Sequence, residues 1–309
     1  MANYDLIAFD LDGTIFASPV KPVMSPRVTE ALQAAHDAGV VLAVASGRPT
    51  GMLGSHVSGL PFVDWHITVN GAMVSDARTH EIISERPIPK STALMVARCV
   101  NEACSDVFVG WNMFAYGVAH FERALVERQR FKFAEGEESF SFADSALADG
   151  SDIRIIDSVI DTIEILPDGV DKLGARFDTK ADADRAEHAL RAYGGQPLEI
   201  ARVKPTELEI TLAGVGKGSA LSILCRHLGI DERRAVAFGD SGNDATFAQS
   251  PCTFVAMGNA SPEIKAVADD ITDSVTHDGV ATWLNAHLGT KMIAPRDDTP
   301  GDGGDFVIR

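Results

Sequence analysis

Residues 7–16, near the N-terminus, read IAFDLDGTIF. In this segment an apolar run is followed by two aspartates, Asp10 and Asp12, which are separated by a single residue. Residues two apart in a strand share a side, so both carboxylates would project into the crevice at the strand's carboxyl end. Carboxylates this close repel each other unless a cation or a proton lies between them. The pattern predicts a divalent metal site, most naturally for Mg²⁺, which prefers hard oxygen ligands. The alternative is an ordinary strand-to-turn junction.

Three further segments also place polar or charged residues at the ends of apolar runs. VVLAVASGRP and VAFGDSGND each read as a strand followed by functional groups, and GVGKGSAL places a lysine at the start of a helix-like segment. The four segments together supply the carboxylate, hydroxyl and ammonium groups that phosphoryl transfer through an aspartyl-phosphate requires. The residues added by these segments are Ser46, Gly47, Arg48, Lys217, Asp240, Asn243 and Asp244.

The segments DLDGT, SGRP, VNGA, GVGKG and GDSGND resemble, in order and spacing, the motifs of the haloacid dehalogenase (HAD) superfamily. The resemblance is strongest to its Cof-type branch of sugar-phosphate and cofactor phosphatases, which carry a large C2-type cap. It extends over roughly residues 5–288 and includes the later run VAMGNASPEIKAVADDIT. It implies a Mg²⁺-dependent phosphatase of small phosphorylated metabolites, sugar phosphates first, acting through an aspartyl-phosphate. A phosphomutase on the same fold and a non-catalytic phosphometabolite-binding module are the alternatives.

The resemblance implies a role for each acidic motif residue. Asp10 is the expected nucleophile and a metal ligand. Asp12 is the expected general acid and base, with its backbone carbonyl as a second metal ligand, and Asp240 completes the Mg²⁺ shell. For Asp244 the sequence leaves three roles open: binding the metal directly, binding it through water, or orienting Lys217.

A second group of residues is expected to hold the phosphoryl group. Gly13 lets the backbone turn tightly so that amides face the phosphoryl oxygens. Ser46 offers a hydroxyl and an amide, although serine also favours a helix N-cap. Arg48 fits a phosphate contact or an exposed arginine at a helix start. The predicted phosphate-binding residues are Leu11, Gly13, Thr14, Ser46, Gly47, Lys217 and Asn243, with Arg48 and Asp244 in support.

The rhythm of apolar segments divides the chain into a core and an insertion. Strand and helix signals alternate through residues 1–84 and again through 205–290, which predicts an α/β fold with a Rossmann-like doubly wound parallel sheet. Residues 85–204 break this rhythm and predict an inserted α+β cap, including a strand at 162–166. Residues 291–309 are rich in Asp, Gly and Pro and predict a disordered tail.

The cap is expected to select the substrate. Its candidate hairpin and the basic-aromatic stretch after it contain Trp111, Asn112, Tyr116 and Arg130. The two aromatic rings could stack on a sugar or another ring, and the arginine could meet an anionic group. Packing in the core, or exposure on a solvated face, is the alternative for each of them.

The 27 basic and 44 acidic residues give a formal net charge of −17. This charge argues against nucleic acid or an anionic membrane as a partner. No apolar stretch reaches membrane-spanning length, and MANYDLIAFD lacks the features of an export signal, which predicts a cytoplasmic protein. The expected partner is a small phosphorylated metabolite, bound by a monomer or a homodimer. An anionic substrate then requires local positive charge from Mg²⁺, Lys217 and backbone amides.

Overall fold

The computed structural model describes residues 4–17, 22–134, 151–193, 195 and 197–288, so the predicted disordered tail lies outside the described residues. The strands are β1 (Leu6–Phe9), β2 (Val41–Ala45), β3 (Trp65–Thr68), β4 (Met73–Asp76), β5 (Ile82–Glu85), β6 (Val109–Ala115), β7 (Val118–Glu122), β8 (Ile153–Ile156), β9 (Lys172–Phe177), β10 (Leu198–Lys204), β11 (Glu207–Leu212), β12 (Ala235–Gly239), β13 (Thr253–Ala256) and β14 (Asp270–Ile271). The helices are α1 (Pro26–Asp37), α2 (Ser55–Ser58), α3 (Lys90–Ala103), α4 (Arg123–Ala134), α5 (Val159–Ile165), α6 (Lys180–Ala192), α7 (Lys217–Leu228), α8 (Pro262–Val267) and α9 (Gly279–His287).

The larger sheet of the described chain has the strand order β14-β13-β12-β1-β2-β3-β4-β5. Neighbours from β14 to β3 run parallel, and β4 and β5 extend one edge as antiparallel strands. β1 lies between β12 and β2, with Phe9 opposite both Phe238 and Val44. The predicted α/β core with a parallel sheet is therefore confirmed.

Alternation along the central strands produces two apolar layers, one on each face of this sheet. Phe9, Val44 and Phe238 belong to the layer that also contains buried residues of α1 and α9. Their neighbours Ala8 and Ala237 belong to the opposite layer, with buried residues of α7. Small residues on that face allow α7 to pack closely, and its first residue lies at the carboxyl edge of the sheet.

The smaller sheet has the order β10-β11-β9-β6-β7-β8 in the described residues. Its pairs are antiparallel except for β7 with β8. One face packs against α3, α5 and α6 in a continuous apolar cluster. The other face turns towards the larger sheet, and this arrangement forms the expected α+β cap.

The cap sheet continues past the predicted boundary at residue 204 and ends at Leu212. β11 pairs with β10 and with β9, so it is a central strand of the cap sheet rather than part of the core. The alternating run ELEITL fits a strand of either sheet, and only its pairing partners decide between them. The second crossing between cap and core therefore lies after Leu212.

The strand predicted at 162–166 is wrong, because this segment belongs to helix α5. The hydroxyl of Ser158 accepts a hydrogen bond from the amide of Asp161 at 3.1 Å and caps the helix. The buried residues Val159 and Ile163 are four positions apart, which is helical spacing. The cap at Ser158 and the packing of one helical face decide the conformation.

The two crossings between core and cap lie side by side. The guanidinium of Arg86 donates to the carbonyls of Gly214 at 3.1 Å and Ala213 at 3.4 Å. Ile88 and Val170 exchange backbone hydrogen bonds of 2.7 and 3.0 Å. The Arg86 bonds join the two crossings to each other, and the Ile88 bonds join the first crossing to the cap.

Candidate active site

The predicted motif residues meet at the carboxyl edge of the core sheet. Asp10, Ser46 and Asp240 each come directly after a central strand, β1, β2 and β12. The amide of Asp10 donates to the carbonyl of Phe238 at 3.0 Å, which ties the first aspartate to β12. Because parallel strands end at one edge, residues far apart in sequence are brought together here.

Lys217 is fully buried between two carboxylates of this edge. Its ammonium donates to Asp10 Oδ1 at 2.7 Å and to Asp244 Oδ1 at 2.6 Å. Although burial opposes the charge, these two carboxylates raise the pKa of Lys217 above its ordinary value. Gly218 lets the start of helix α7 lie against the backbone of Thr246, since a Cβ at residue 218 would lie 2.0 Å from the Thr246 carbonyl oxygen. The glycine after the lysine therefore has a packing reason.

Asp244 contacts the lysine, as one of its three predicted roles, orienting Lys217, requires. Its second oxygen, Oδ2, accepts from the amides of Asp240 at 3.0 Å and Ser241 at 2.9 Å, and from the Ser241 hydroxyl at 3.1 Å. Gly239 leaves room for it, because a Cβ there would lie 2.3 Å from Cγ of Asp244. Both oxygens of Asp244 are thus engaged within the protein.

Three carboxylates at this edge could hold a metal ion. One oxygen each from Asp10, Asp240 and Asp244 lie within 4.8 Å of one another. Burial and the charge of Asp244 raise the pKa of Asp240 to about 7, and burial raises that of Asp10 against the opposing charge of Lys217. One lysine does not balance three carboxylates, so the donor set and its surplus negative charge fit a divalent cation.

Asp240 is held by groups from two other segments. The hydroxyl of Thr14 donates to Asp240 Oδ1 at 3.2 Å. The side-chain amide of Asn259 donates through Nδ2 to Asp240 Oδ2 at 3.4 Å and to the carbonyl of Gly13 at 2.8 Å. Sequence reasoning assigned no role to Asn259, although it lies in the later run that resembles the family. Its position after the short strand β13 was the available signal.

The turn after β1 differs from the prediction. The amide of Gly13 donates to Phe16 at 2.8 Å and that of Thr14 donates to Leu11 at 3.3 Å, so these amides close the turn instead of facing a phosphate. Gly13 has a φ of 86°, and a Cβ on it would lie 2.2 Å from Asp240 Oδ2. Glycine is therefore required for the approach of Asp240. The Leu11 side chain is buried in the core, and its carbonyl anchors the turn.

Asp12 and Arg48 form an ion pair at the cavity. The guanidinium donates to both carboxylate oxygens, with Nη2 at 2.7 Å from Oδ1 and Nε at 3.0 Å from Oδ2. Arg48 is buried, so the alternative of an exposed arginine at a helix start is wrong. The amide of Arg48 also donates to the hydroxyl of Ser46 at 3.2 Å, which caps the turn as serine favours.

Core and cap together line a partly open cavity of about 290 Å³ above these residues. The described residues that line it are Asp10, Asp12, Ser46, Gly47, Arg48, Ser241 and Asn243 from the core, and Asn112, Phe114, Phe121, Lys172, Gly174, Arg176, Glu207, Leu208 and Glu209 from the cap. Part of the predicted motif set therefore faces a space large enough for a small metabolite, whereas Lys217, Asp240 and Asp244 are not among the described lining residues. Of the four cap candidates, this described lining contains Asn112 alone.

The other cap candidates lie elsewhere. Trp111 neighbours Asn112 on β6 and so faces the opposite side, where it is buried and donates to Asn101 at 2.9 Å. Tyr116 lies in the turn between β6 and β7, half exposed, with its hydroxyl near Asp168. Arg130 is exposed on α4. The structure therefore does not support the prediction that these three residues touch a substrate in the cavity.

Four charged cap residues in the cavity were missed by sequence reasoning. Lys172 donates to Glu209 Oε1 at 2.6 Å, and burial lowers the pKa of Lys172. Beside them, Arg176 Nε lies 3.5 Å from Glu207 Oε1. The available signal was their period of two, which places these charges of β9 and β11 on one face of the sheet.

A family profile described as haloacid dehalogenase-like hydrolase matches residues 7–284 of this chain. The chain belongs to this family. It is a Cof-type HAD phosphatase, a phosphoric monoester hydrolase, as the sequence predicts. Among the described residues, no helix has both the length and the apolar character needed to cross a membrane.

Several relatives of this HAD phosphatase match it over most of their length. It is similar to 5-amino-6-(5-phospho-D-ribitylamino)uracil phosphatase YcsE of Bacillus subtilis, with 24% identity over 89% of this chain and 92% of the relative. It is similar to pyridoxal phosphate phosphatase YbhA of Escherichia coli, with 26% identity over 92% of this chain and 98% of the relative. The solved HAD subclass IIB sugar phosphatase BT4131 has the same fold, with a TM-score of 0.72, 23% identity, and coverage of 91% of this chain and 97% of that one.

Proposed function

We propose that this enzyme is a Mg²⁺-dependent, cytoplasmic phosphatase of small phosphorylated metabolites, with sugar phosphates as its preferred class. The observation that carries the proposal is the position of Asp10. It lies beside the buried Lys217, within the carboxylate cluster, and lines the 290 Å³ cavity between core and cap. The proposed nucleophile thus faces the cavity, and its charge partner Lys217 and the candidate cation site lie directly beside it.

The proposed Mg²⁺ ligands are Asp10, Asp240 and the backbone carbonyl of Asp12. When bound, the ion would neutralise the phosphoryl oxygens and the surplus charge of the carboxylates. Asp244 is assigned to orienting Lys217, since both of its oxygens already accept hydrogen bonds. The lysine in turn holds Asp10 in position and offsets charge on the phosphoryl group.

The proposed reaction uses two displacements at phosphorus. An oxygen of Asp10 forms a bond to phosphorus as the ester P–O bond breaks, and the departing oxygen takes a proton from Asp12. Water then attacks phosphorus in the aspartyl-phosphate and gives a proton to Asp12. This step releases inorganic phosphate and restores the Asp10 carboxylate.

The proposed proton transfers require a change in the ion pair between Arg48 and Asp12. Both oxygens of Asp12 accept from the guanidinium, so proton transfer requires that at least one of these bonds be exchanged. A phosphoryl group in the cavity is an anion that competes for the same donors, because guanidinium pairs well with phosphate oxygens. We infer that substrate binding recruits Arg48 and leaves Asp12 able to face the leaving group.

The cap charges favour an uncharged leaving group. Lys172 and Arg176 are matched by Glu207 and Glu209 in the lining, so the formal charge of these four residues is zero. Asn112 adds hydrogen-bonding capacity, while phenylalanines supply apolar surface. A sugar, with hydroxyls and an apolar ring face, fits this wall better than a carboxylate or a second phosphate.

Phosphate release from a panel of esters tests the proposal. The panel contains p-nitrophenyl phosphate, pentose and hexose monophosphates, a sugar bisphosphate and phosphoglycolate, each with Mg²⁺, with chelator and with Ca²⁺. We expect sugar monophosphates to have the highest kcat/KM, chelator to abolish turnover, and Ca²⁺ to inhibit because it tolerates looser coordination. Full activity in chelator, or a preference for the charged leaving groups, would refute the corresponding part of the proposal.

A further inference from the structure

A chain of polar contacts runs from the cap to the phosphate-binding loops of the core. Lys172 in the cap donates to Glu209 Oε1 at 2.6 Å and to the core carbonyl of Gly47 at 3.0 Å. The other oxygen of Glu209 accepts from Asn70 Nδ2, a core residue, at 2.6 Å. Asn70 Oδ1 then accepts from Asn243 Nδ2 at 3.0 Å. The contacts cross between the two sheets at two points.

Asn70 is built into the loop that it contacts. Its amide donates to the carbonyl of Ser46 at 3.0 Å, which fixes it beside the SGRP loop. It is buried and has a φ of 57°, a conformation that asparagine tolerates better than most residues. Gly47 lies against it, since a Cβ on Gly47 would be 2.7 Å from Asn70 Oδ1. The motif glycine is thus needed for this contact.

The chemistry of the contacts permits one orientation of each amide. A carboxylate only accepts hydrogen bonds, so Glu209 requires the NH₂ group of Asn70 to face it. The oxygen of Asn70 must then face the NH₂ group of Asn243, which donates to it at 3.0 Å. The position of a cap carboxylate therefore determines how the side chain of Asn243 is presented to the cavity.

Glu209 is suited to this role by its surroundings. It is held by Lys172 from the cap and by Asn70 from the core, and the charge of Lys172 lowers the pKa of Glu209 against the effect of burial. The Lys172 ammonium also lies 4.4 Å from the centroid of the Phe114 ring, within the cap sheet. The ion pair is therefore a fixed part of the cap face.

We propose that Glu209 and Asn70 are positioning residues that couple closure of the cap to the arrangement of Gly47 and Asn243 around the phosphoryl group. The proposal rests on the proposed phosphatase function. In the closed state, Lys172 fixes the Gly47 peptide and Asn70 fixes the Asn243 amide. An open cap would release both core groups, so full binding of the phosphoryl group requires the cap in place. Neither residue has to touch the leaving group.

The variants Asn70→Gly and Glu209→Ala, singly and together, test this proposal, and Glu209→Gln serves as the conservative variant. Glycine keeps the positive φ at position 70, and glutamine keeps an oxygen that can accept from Asn70. Glu187→Gln is the matched control, because Glu187 is also a cap glutamate in an ion pair, here with Arg202, but lies outside the cavity lining. Melting temperature is measured for every variant.

We expect Glu209→Ala and Asn70→Gly each to lower kcat/KM about 10- to 100-fold, by one common factor for p-nitrophenyl phosphate and for sugar monophosphates. Inorganic phosphate should inhibit both variants more weakly than it inhibits the wild type. Glu209→Gln should retain more activity than Glu209→Ala, and Glu187→Gln should match the wild type. The double variant should lose much less than the product of the two single factors, because both act through one contact.

Several results would overturn the proposal. These are single-variant losses that multiply in the double variant, losses that differ between esters, an unchanged inhibition constant for phosphate, or an equal loss in Glu187→Gln. Calorimetric titration with inorganic phosphate tests the positioning role of Glu209 and Asn70 separately from the proposed phosphatase function. If the wild type hydrolyses no ester, the proposed function fails. Weaker phosphate binding by the variants still supports the positioning role, and unchanged binding rejects it.

Discussion

Lys217 in the core and Lys172 in the cap are both fully buried beside carboxylates, yet their surroundings differ. Lys217 lies between two carboxylates, Asp10 and Asp244, which raise its pKa above the ordinary value. Lys172 has the single carboxylate of Glu209, and burial lowers its pKa. The core thus keeps a surplus of negative charge, whereas the cap is balanced.

This difference indicates a division of labour between the two regions. The core carboxylates carry surplus negative charge that fits a cation, and in the proposed reaction the phosphoryl group would meet that cation, Lys217 and Arg48. The cap presents paired charges and aromatic rings, which suit an uncharged group held by hydrogen bonds and apolar contact. Substitutions in the two regions should accordingly have different kinetic consequences.

The largest effect is expected for Asp10→Asn. The amide keeps the shape of the side chain but is a poor nucleophile, so kcat should fall by about 10⁴-fold or more for every ester. The variant should remain folded, because Lys217 keeps Asp244 as a partner. Phosphate release and thermal melting measure the two outcomes. Activity near that of the wild type would remove Asp10 as the nucleophile and, with it, the assignment of the chemistry to the core.

A pair of matched variants, Lys217→Met and Lys172→Met, compares the regions directly. Lys217→Met should lower kcat/KM by about 10³-fold for all esters, because each presents the same phosphoryl group. It should also destabilise the fold by about 3–5 kcal/mol, since two buried carboxylates lose their partner.

Lys172→Met should lower kcat/KM by about 10- to 100-fold, because one contact to Gly47 is lost and Glu209 is left unpaired. Steady-state kinetics and denaturant unfolding provide both comparisons. Equal losses of kcat/KM in the two variants would show that the two lysines do not divide the work as their surroundings indicate.

A smaller effect is expected from neighbouring cap residues that face opposite sides of β6. Asn112→Ala should change the ranking of sugar monophosphates by about 10-fold while leaving p-nitrophenyl phosphate little affected, because a buried hydrogen-bonding group is removed from the cavity wall. Trp111→Phe is the control. It should lower stability but preserve the ranking, since Trp111 packs inside the cap. If Trp111→Phe changed the ranking of substrates and Asn112→Ala did not, the side of β6 that carries Trp111 would be the side that contacts the substrate.

The core and its site could be predicted from sequence because their signals are local. A short apolar strand followed by polar residues identifies each strand end, and parallel strands place those ends at one edge. Asp10, Ser46 and Asp240 were found in this way, and Lys217 was found from its motif at the start of a helix. The pattern could not show that the amides of Gly13 and Thr14 donate to carbonyls of the same turn, because that depends on the exact course of the backbone.

The cap site was largely missed because its signals depend on strand pairing. Aromatic residues near a hairpin suggested Trp111 and Tyr116, but the face that each strand residue occupies depends on register and on which side packs against helices. Lys172 and Glu209 come together only because β9 and β11 pair across a long separation in sequence. The contact between Asn70 and Glu209 likewise depends on how cap and core dock.

The smallest effect on activity is expected for Asp171→Asn in the cap, which should alter the pH dependence of stability. Asp171 is buried, and within the described structure its Oδ2 has no hydrogen-bond partner. Burial, together with the charge of Glu85, raises the pKa of Asp171 from 3.8 to about 7. Unlike Asp10 and Asp244 in the core, this carboxylate has no lysine partner among the described residues to offset its charge.

The sign follows from proton binding. Between about pH 4 and pH 7 the folded protein keeps the proton on Asp171 while the unfolded chain has lost it, so the Asp171 contribution to stability falls as pH rises through this range. Asp171→Asn removes the charge and should raise the free energy of unfolding at pH 8 by on the order of 3 kcal/mol, with little change at pH 4. Denaturant unfolding at the two pH values measures this difference, with the exposed Asp168→Asn as control. If Asp171→Asn raised the free energy of unfolding equally at both pH values, the charge of Asp171 would not be the cause. Packing of the side chain would then account for the destabilisation.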